Sequence, residues 1–247
     1  MTTLGIIPAR GGSTGILRKN LRLLGGRPLL AHTVEAAQRA ETLDRVVVNT
    51  EDDEIADVAR SLGVTVQGRP EDFWHDNTFQ EVDRLLQWAV ADHEREAGRV
   101  DVIVLLYPTS PLRPSSAIDA TVRLVTEGGC DSALTLVESR QYLWRRTAAD
   151  DHEANTEVGG GDLGPVVPTN YDPSRRGPNQ LEGWNQWIEN KAVYAMRRDL
   201  LMETGCRLGG RIGGVRMNRL ESVDVDTPDD LALAEAVLRS RGIDPAQ

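Results

Sequence analysis

The sequence has few of the residues on which most redox and metal sites depend. Its two cysteines, Cys130 and Cys206, lie far apart without metal-ligand spacing, and we interpret both as small buried thiols. The four histidines show no metal spacing either. The fingerprint G-x-G-x-x-G does not occur and no site for hydride transfer is recognisable, so a dinucleotide-dependent dehydrogenase has no support.

Long apolar runs and excess positive charge are also missing. No run approaches the roughly 20 apolar residues that a membrane span needs. The N-terminal stretch MTTLGIIPAR lacks the basic start and the cleavage site of a signal peptide, so we expect a cytoplasmic protein without a membrane partner. Lys and Arg number 28 against 38 Asp and Glu, and the net charge of −10 disfavours nucleic acid as a partner.

Lysine is much rarer than arginine in this chain. Of the 28 basic residues only Lys19 and Lys191 are lysines. A compact ammonium and a planar guanidinium bind phosphate in different ways. Each of the two lysines is therefore a candidate for a specific role.

What the sequence does have is a regular alternation of strand and helix patterns. Short apolar runs predict strands at 3–9, 45–49, 64–67, 101–107 and 130–138. Helical spacing of apolar residues predicts helices at 28–40, 52–62, 79–96 and 115–127. The alternation predicts an α/β fold, a mostly parallel sheet with helices on both faces, in a single domain that spans 1–247.

The alternation stops near Ser139. Residues 145–180 contain five glycines and four prolines without a clear period, which is long for a structureless loop. Two tryptophans follow closely in LEGWNQWIENKAVYAM. The segment 139–190 is either an irregular excursion closed by tryptophans or an inserted arm that packs on a second subunit, and we expect the arm and a homodimer.

A glycine-rich turn, IIPARGGSTGILRKN, follows the first predicted strand. Such a turn presents backbone N–H groups, and glycine lets the backbone approach a phosphate oxygen closely. The P-loop pattern fails because Lys19 is followed by Asn20. The nearby cations Arg10, Arg18 and Lys19 favour a triphosphate, although a plain surface turn with solvated cations would look the same.

Two carboxylates, Asp224 and Asp226, lie two residues apart in SVDVDT on a predicted strand, so both should point to one face. Such a pair suits a divalent cation such as Mg²⁺, held together with phosphate oxygens. The alternative is a polar strand edge that leads into a helix, since Thr227 and Asp230 form a capping-box pattern with Pro228 at the first position.

A third candidate segment, LLYPTSPLRPS, places Thr109 and Ser110 between prolines at the end of the fourth predicted strand, with Arg113 just behind. Ligands of open α/β sheets bind at the carboxyl ends of the strands. The segment is therefore a candidate ligand loop, or simply a rigid turn.

Together these motifs resemble those of the CMP-sialic acid synthetases, the cytidylyltransferases that activate sugar acids. The family pattern I-P-A-R-G-G-S-K-G-[IL]-P-x-K-N stands here as IPARGGSTGILRKN at 7–20. P-T-S-P-L-R is intact at 108–113, and D-[IV]-D-T-P-x-D-L is intact at 224–231. GGRPLLAHTVEAA, Arg69-Pro70 and ENKAVY also resemble family segments, so the likeness covers most of the chain.

The resemblance implies a Rossmann-like nucleotidyltransferase fold, a homodimer built through the inserted segment, and transfer of CMP from CTP with Mg²⁺ as cofactor. Asp224 and Asp226 would bind the metal, and Arg10, Lys19 and Asp226 would be catalytic. The nucleotide would contact Arg10, Gly11, Gly12, Ser13, Thr14, Lys19, Asn20, Arg69 and Gln80. The acceptor would contact Tyr107, Thr109, Ser110, Arg175, Arg176, Gln180, Asn190 and Lys191.

Several residues depart from the family pattern. Thr14 replaces a lysine that reaches the phosphates, and Arg18 could supply the missing charge. Gln80 stands where a small hydroxyl residue near the base is usual. Tyr107 replaces a glutamine that borders the sugar acid, and Lys191 replaces a glycine.

These departures concern the acceptor more than the reaction. Lys191, Arg175 and Arg176 would be uncompensated without an anionic acceptor, so we expect a nonulosonic or other 3-deoxy-2-keto sugar acid. A phosphonate or phosphorylated small molecule is the second candidate. A non-catalytic nucleotide-binding module, with Thr14 marking lost catalysis, is the third.

Overall fold

The computed structural model describes residues 1–13, 15–74, 79–147, 165–175 and 185–242, and within them the side chains of Phe79 and Gln80 are not described. The chain divides into two units. The first consists of Met1–Val137 and Glu189–Gln247, and the second of Glu138–Ile188. That the segment 139–190 is an inserted arm of a single domain stays a prediction.

Apart from two short strands at Leu23–Leu24 and Arg27–Pro28, which were not predicted, the helices and strands up to residue 139 follow one another in the order that the apolar patterns predict. The strands are β1 (Thr3–Pro8), β2 (Leu23–Leu24), β3 (Arg27–Pro28), β4 (Arg45–Thr50), β5 (Thr65–Gly68), β6 (Val102–Leu105), β7 (Ser132–Ser139), β8 (Trp144–Arg146), β9 (Val166–Pro168), β10 (Gln186–Arg197) and β11 (Ile212–Met217). The helices are α1 (Leu29–Gln38), α2 (Asp53–Ser61), α3 (Phe79–Ala97), α4 (Ser115–Thr126), α5 (Arg198–Thr204) and α6 (Pro228–Ser240).

Seven strands form one sheet in the order β11, β7, β10, β6, β1, β4, β5. β1 pairs in parallel with β4 and β6, β4 with β5, and β7 with β11. β10 is antiparallel to its neighbour β6, with Tyr194 opposite Leu105. The predicted α/β class with a mostly parallel sheet is confirmed.

Apolar side chains cover both faces of this sheet because successive residues of a strand point to opposite sides. Ile7 of β1 joins a buried cluster with α1 and α4, which includes Leu30 and Ile118. Leu4 and Ile6 point the other way, into a second cluster with α3 and α5. Among the described residues no helix is long and apolar enough to span a membrane.

A third apolar cluster lies beneath the candidate site. It joins Ile16 of the glycine-rich turn, Leu112 of the 106–114 loop and Val225 of the carboxylate segment, and α6 contributes Val237 and Leu238. Three chain segments that are far apart in sequence therefore share one small core, and their polar residues are held above it.

The segment 222–226, predicted as a strand, is not part of any strand in the described chain. Its side chains still alternate, since Val223 and Val225 are buried while Asp224 and Asp226 are more exposed. A single backbone hydrogen bond from the Val225 N–H to the Thr109 carbonyl, 2.7 Å long, holds this extended segment against the 106–114 loop.

In the second unit, β8 and β9 form a two-stranded antiparallel sheet in which Trp144 is opposite Pro168. The ring of Tyr171 lies 4.6 Å from that of Tyr142 and 5.8 Å from that of Trp144, measured between centroids. Trp144 remains half exposed, so this unit presents an aromatic surface.

Candidate functional site

The glycine-rich turn begins where β1 ends and is braced from several sides. The Ala9 N–H donates to the Asn49 carbonyl at 2.9 Å, which extends the pairing with β4 by one residue. Asn20, which is buried, donates from Nδ2 to the Arg10 carbonyl at 2.9 Å. As placed, Asn20 supports the predicted nucleotide loop from behind.

Gly15 lets the turn approach the carboxylate segment. A Cβ at Gly15 would lie 2.3 Å from the carbonyl oxygen of Asp226, which is far inside van der Waals contact. No residue larger than glycine fits there without a shift of the backbone. The two motifs are therefore in direct backbone contact.

Lys19 joins the same two segments through its side chain. Its Nζ donates to the Val225 carbonyl at 3.0 Å and lies 2.7 Å from Asp226 Oδ1. The motifs predict Lys19 beside the triphosphate and Asp226 at the metal, and the structure brings the two side chains into one cluster.

Asp226 is held in its charged form by two lysines. Burial opposes its ionisation, but the hydrogen bond and charge of Lys19, with those of Lys191, outweigh burial and keep the pKa of Asp226 below its usual value. Lys191 Nζ lies 2.7 Å from Asp224 Oδ2 and 3.6 Å from Asp226 Oδ2. Both carboxylates thus face one cation, as the same-face prediction required.

The ion pairs of Lys191 contradict one prediction about its charge. We expected its charge to be uncompensated without an anionic acceptor, and this is wrong, because Asp224 and Asp226 compensate it within the chain. Lys191 also has a φ of 58°, in the left-handed region that favours glycine. The hydrogen bond to Asp224 raises the pKa of Lys191, so the ammonium stays charged.

The carboxylate pair has the donor chemistry of a Mg²⁺ site. Asp224 Oδ1 is buried and has no hydrogen-bond partner among the described residues. An unpaired buried carboxylate oxygen is costly unless a cation binds it. Carboxylate oxygens are the ligands that Mg²⁺ prefers, and two of them suffice when phosphate oxygens complete the shell. Within the described chain no group of three or more His, Cys, Asp or Glu side chains could hold a metal alone.

Arg18, which could supply the charge missing at Thr14, is ion-paired within the chain. Its guanidinium lies 2.5 Å from Asp52 and 2.7 Å from Glu54, and these carboxylates raise its pKa, Asp52 most strongly. Asp52 in turn caps α2, since its side chain accepts from the Ile55 N–H. Arg18 therefore ties the turn to the start of α2.

Glu51 is a residue of the candidate site that the motifs do not predict. Its Oε1 accepts the Gly11 N–H at 2.7 Å, and its Oε2 is buried 3.9 Å from Arg69 Nη1 without a hydrogen-bond partner in the described chain. The Gly11 N–H, predicted to hold phosphate, is thus bonded to a carboxylate here. The signal that could have found it is its position just after β4, at the carboxyl end of a parallel strand.

The other predicted nucleotide residues lie in or near the turn. Arg69 is buried and donates from Nε to Asn49 Oδ1 at 3.2 Å. Gly12 is exposed, and a Cβ on it would meet nothing within 4 Å. Arg10 and Ser13 are partly exposed in the same turn. Thr14 and the side chain of Gln80 lie outside what the structure describes.

The 106–114 loop, a candidate ligand loop or a rigid turn from its sequence, is mostly buried. Ser110 is fully buried and its Oγ has no described partner, so as placed it does not line an open acceptor site. Arg113 is also buried, donates from Nη2 to Thr33 Oγ1 at 3.0 Å and to the Tyr107 carbonyl, and burial lowers its pKa to about 9. Tyr107, Thr109 and Pro114 are the partly exposed members of the loop.

Asn190 is a second correction to the acceptor set. It is buried, and its Oδ1 accepts from Thr135 Oγ1 and the Ala192 N–H while its Nδ2 donates to Ser222 Oγ. Each end of the amide is already bonded, so as placed Asn190 braces β7 and β10 instead of reaching an acceptor.

The remaining predicted acceptor residues are in the second unit. Arg175 is exposed and lies 4.0 Å from Asp172. Arg176 and Gln180 lie outside the described residues, so their predicted roles stay predictions.

Known proteins are similar to this chain in sequence and in fold. A family model described as cytidylyltransferase matches residues 4–155. A CMP-N,N'-diacetyllegionaminic acid synthase of Legionella pneumophila subsp. pneumophila is 30% identical over 96% of this chain and 97% of its own length. An N-acylneuraminate cytidylyltransferase A of Danio rerio is 30% identical over 93% of this chain, which spans only 49% of that relative.

Two solved structures share the fold at low sequence identity. A CMP:2-keto-3-deoxy-manno-octonic acid synthetase complexed with CTP superposes with a TM-score of 0.65 at 16% identity, over 98% of this chain and 100% of that one. A 4-diphosphocytidyl-2C-methyl-D-erythritol synthase also gives 0.65 at 16% identity, over 96% and 98%.

The sheet order, the glycine-rich turn after β1 and the carboxylates that meet Lys19 define an α/β protein of the nucleotidyltransferase class. The chain belongs to the cytidylyltransferase family, in the group of the CMP-sialic acid synthetases, as its motifs predicted.

Proposed function

We propose that the protein transfers CMP from CTP to an anionic acceptor, a nonulosonic or other 3-deoxy-2-keto sugar acid, and releases pyrophosphate. The observation that carries this proposal is the contact between Lys19 Nζ and Asp226 Oδ1, 2.7 Å long. It joins a turn suited to phosphate with a carboxylate pair suited to a divalent cation.

The triphosphate would lie along the glycine-rich turn. The open backbone at Gly12 leaves room for phosphate oxygens, and Arg10 and Lys19 supply positive charge. The Gly11 N–H would exchange its bond to Glu51 for one to a phosphate oxygen. Arg69, held by Asn49 just behind the turn, is our candidate for the residue nearest the base.

Asp224 and Asp226 would hold Mg²⁺, which when bound would neutralise charge on the phosphates. Lys19 already touches Asp226, so its ammonium would stand beside both the carboxylates and the leaving pyrophosphate.

The acceptor hydroxyl would attack the α-phosphorus in line. One P–O bond forms, the bond to the β-phosphate oxygen breaks, and the hydroxyl proton is released. The protein would contribute by positioning and charge, without a side-chain nucleophile.

The sugar-acid class is supported by relatives and by the loop geometry. The relative from Legionella pneumophila is named for an acid of this kind. The loop that contains Tyr107 and Thr109 contacts the carboxylate segment through the Thr109 carbonyl, and an acceptor there would reach the α-phosphate. The pairing of Lys191 with Asp224 removes the charge argument for either anionic acceptor, so the sugar-acid class rests on these relatives and on this loop.

The proposal is tested by incubating the protein with CTP, Mg²⁺ and a panel of acids, namely N-acetylneuraminate, 2-keto-3-deoxy-octonate and simple phosphonates, and following pyrophosphate release. We expect release with at least one sugar acid. Release with phosphonates alone would contradict the acceptor class, and no release with any member would contradict the function.

Asp226→Asn separates an enzyme from a nucleotide-binding module. Loss of one metal-binding carboxylate should lower turnover on the order of a hundredfold or more. Asp229→Asn is the matched control, because Asp229 is exposed in the first turn of α6 and outside the lysine cluster. Calorimetric binding of CTP with Mg²⁺ should weaken in Asp226→Asn and stay unchanged in Asp229→Asn. Equal turnover in both variants would contradict the metal assignment.

We further propose that the protein is a homodimer built through the segment 139–190. The aromatic group Tyr142, Trp144 and Tyr171 is exposed enough to pack on a second copy, and such groups usually need a partner surface.

A further inference from the structure

Tyr107 stands next to the candidate reaction site. It follows the end of β6, at the carboxyl edge of the parallel strands. Two residues later the Thr109 carbonyl accepts from the Val225 N–H, between the two carboxylates Asp224 and Asp226. Tyr107 is partly exposed and belongs to the loop that contacts the carboxylate segment.

A buried ion pair lies behind Tyr107. Arg207 Nε lies 2.7 Å from Asp83 Oδ1, and both side chains are more than nine-tenths buried. Arg207 Nη1 donates to the Tyr107 hydroxyl at 2.7 Å, and its guanidinium lies 5.4 Å from the centroid of the Tyr194 ring. A buried ion pair contributes little net stability, so its value is the fixed orientation that it gives to its neighbours.

The chemistry of arginine decides the direction of the hydrogen bond to Tyr107. A guanidinium can only donate, so the Tyr107 oxygen accepts and its own O–H proton must point elsewhere. Burial raises the pKa of Tyr107, so the hydroxyl keeps that proton. The Tyr194 ring contacts Tyr107 edge-on, with centroids 6.2 Å apart, and its hydroxyl donates to Glu189. Among the side chains that the structure describes, none accepts the Tyr107 proton.

We propose that Tyr107 presents its O–H as a donor of fixed direction to an oxygen of the acceptor acid, and that Arg207, held by Asp83, is the positioning residue that sets this direction. The inference rests on the proposed function and identifies what distinguishes this acceptor site. A glutamine side chain offers both a donor and an acceptor, whereas Tyr107 backed by Arg207 offers a donor alone.

Tyr107→Phe tests the donor, with Tyr194→Phe as the matched control. Both variants lose one hydroxyl and keep the ring. Pyrophosphate release is measured with CTP, Mg²⁺ and whichever acid of the panel the wild type uses. We expect Tyr107→Phe to raise the KM for the acid about tenfold or more, because a hydrogen bond to a charged oxygen is lost, with the KM for CTP unchanged. Tyr194→Phe should change both values less than about twofold. An unchanged KM for the acid in Tyr107→Phe would overturn the proposal.

The role of Arg207 is tested in a variant from which the charge of its partner Asp83 is removed as well. Arg207→Met alone would leave Asp83 as a buried unpaired charge and could unfold the protein. Asp83→Asn with Arg207→Met removes both charges. We expect this double variant to raise the KM for the acid as much as Tyr107→Phe does, with no further increase when the three changes are combined. Fully additive effects would show that Arg207 acts independently of Tyr107 and would overturn its assignment.

A spectroscopic measurement separates failure of this inference from failure of the proposed function. The tyrosine Fermi doublet in the Raman spectrum reports whether a phenol oxygen accepts or donates a hydrogen bond. The difference spectrum between the ligand-free wild type and Tyr107→Phe should show an accepting phenol, and this signature should be lost in the double variant. If no acid supports pyrophosphate release, the proposed function fails. In that case, a doublet of a phenol that only donates, or a doublet that is the same in the double variant as in the wild type, overturns the direction assigned to Tyr107. The doublet of an accepting phenol supports that direction.

Discussion

The backbone conformation of Lys191 and its ion pairs have opposite effects on the stability of the fold. Its φ of 58° costs a residue with a Cβ about 1 kcal/mol relative to glycine. Its ammonium meanwhile contacts Asp224 and Asp226. At 46% side-chain exposure these pairs are worth only about 0.2–1 kcal/mol. The left-handed backbone is thus an unfavourable feature that the ion pairs roughly offset.

Two substitutions separate these effects. Lys191→Gly and Lys191→Met both remove the ammonium, but only glycine relieves the backbone. We expect Lys191→Gly to be about 1 kcal/mol more stable than Lys191→Met. Urea unfolding of both variants measures the difference, and equal stabilities would show that the backbone at this position is unstrained.

At the residue scale, the sequence predicts some roles and not others, as three residues show: Asp226, Glu51 and Tyr107. Asp226 follows from a motif. Tyr107 was noticed as a departure, but its link to Arg207 and Asp83 depends on residues 100 and 24 positions away and could not be seen in the sequence. Glu51 was missed because an acidic residue at a helix start is ordinarily explained by capping.

At the scale of elements, a local sequence signal predicted a helix or strand correctly where the whole signal was present. Thr227 and Asp230 form the predicted capping box, in which each side chain bonds the backbone of the other, and α6 starts at Pro228 as expected. β10 and β11 were not predicted. β11 contains adjacent glycines, and the first half of β10, QWIENK, mixes apolar and polar residues without alternation, so neither shows a clean apolar pattern.

Helices α3 and α5 are joined by a paired carboxylate that should make stability depend on pH. Glu94 accepts from Arg198 Nε at 2.7 Å and Nη2 at 2.8 Å, and from the Val100 N–H at 3.1 Å. The hydrogen bonds from Arg198 lower the pKa of Glu94. A lowered pKa stabilises the fold above the unfolded value of about 4.3 and stops doing so as pH falls through the folded value.

Glu94→Gln should therefore destabilise the protein by about 1.5–3 kcal/mol near neutral pH, with the loss shrinking below about pH 4. Urea unfolding at a series of pH values measures it. Asp57→Asn, in the exposed pair with Arg60, is the control and should cost less than about 0.5 kcal/mol at any pH. A constant loss for Glu94→Gln across the series would contradict the charge argument.

At the scale of the whole molecule, the proposed dimer is the property most open to a direct test. Trp144→Ala should weaken self-association by about 2 kcal/mol or more, roughly thirtyfold in Kd, because a buried aromatic residue is a typical interface anchor. Leu220→Ala, at an equally exposed apolar residue of the first unit, should leave the mass unchanged. Light scattering during gel filtration measures both. A monomeric wild type would exclude the dimer at the concentration used.

The sequence by itself determined the class of the fold, most helices, the motif residues and the family, because these depend on local periodicity and on residues close together in the chain. Only the tertiary structure decided which charges face one another. Lys191 meets Asp224, Arg18 meets Asp52, and Arg207 meets Asp83 and Tyr107. Such pairs join residues about 30 to about 120 positions apart, and their contacts are set by how the sheet and the third apolar cluster bring loops together.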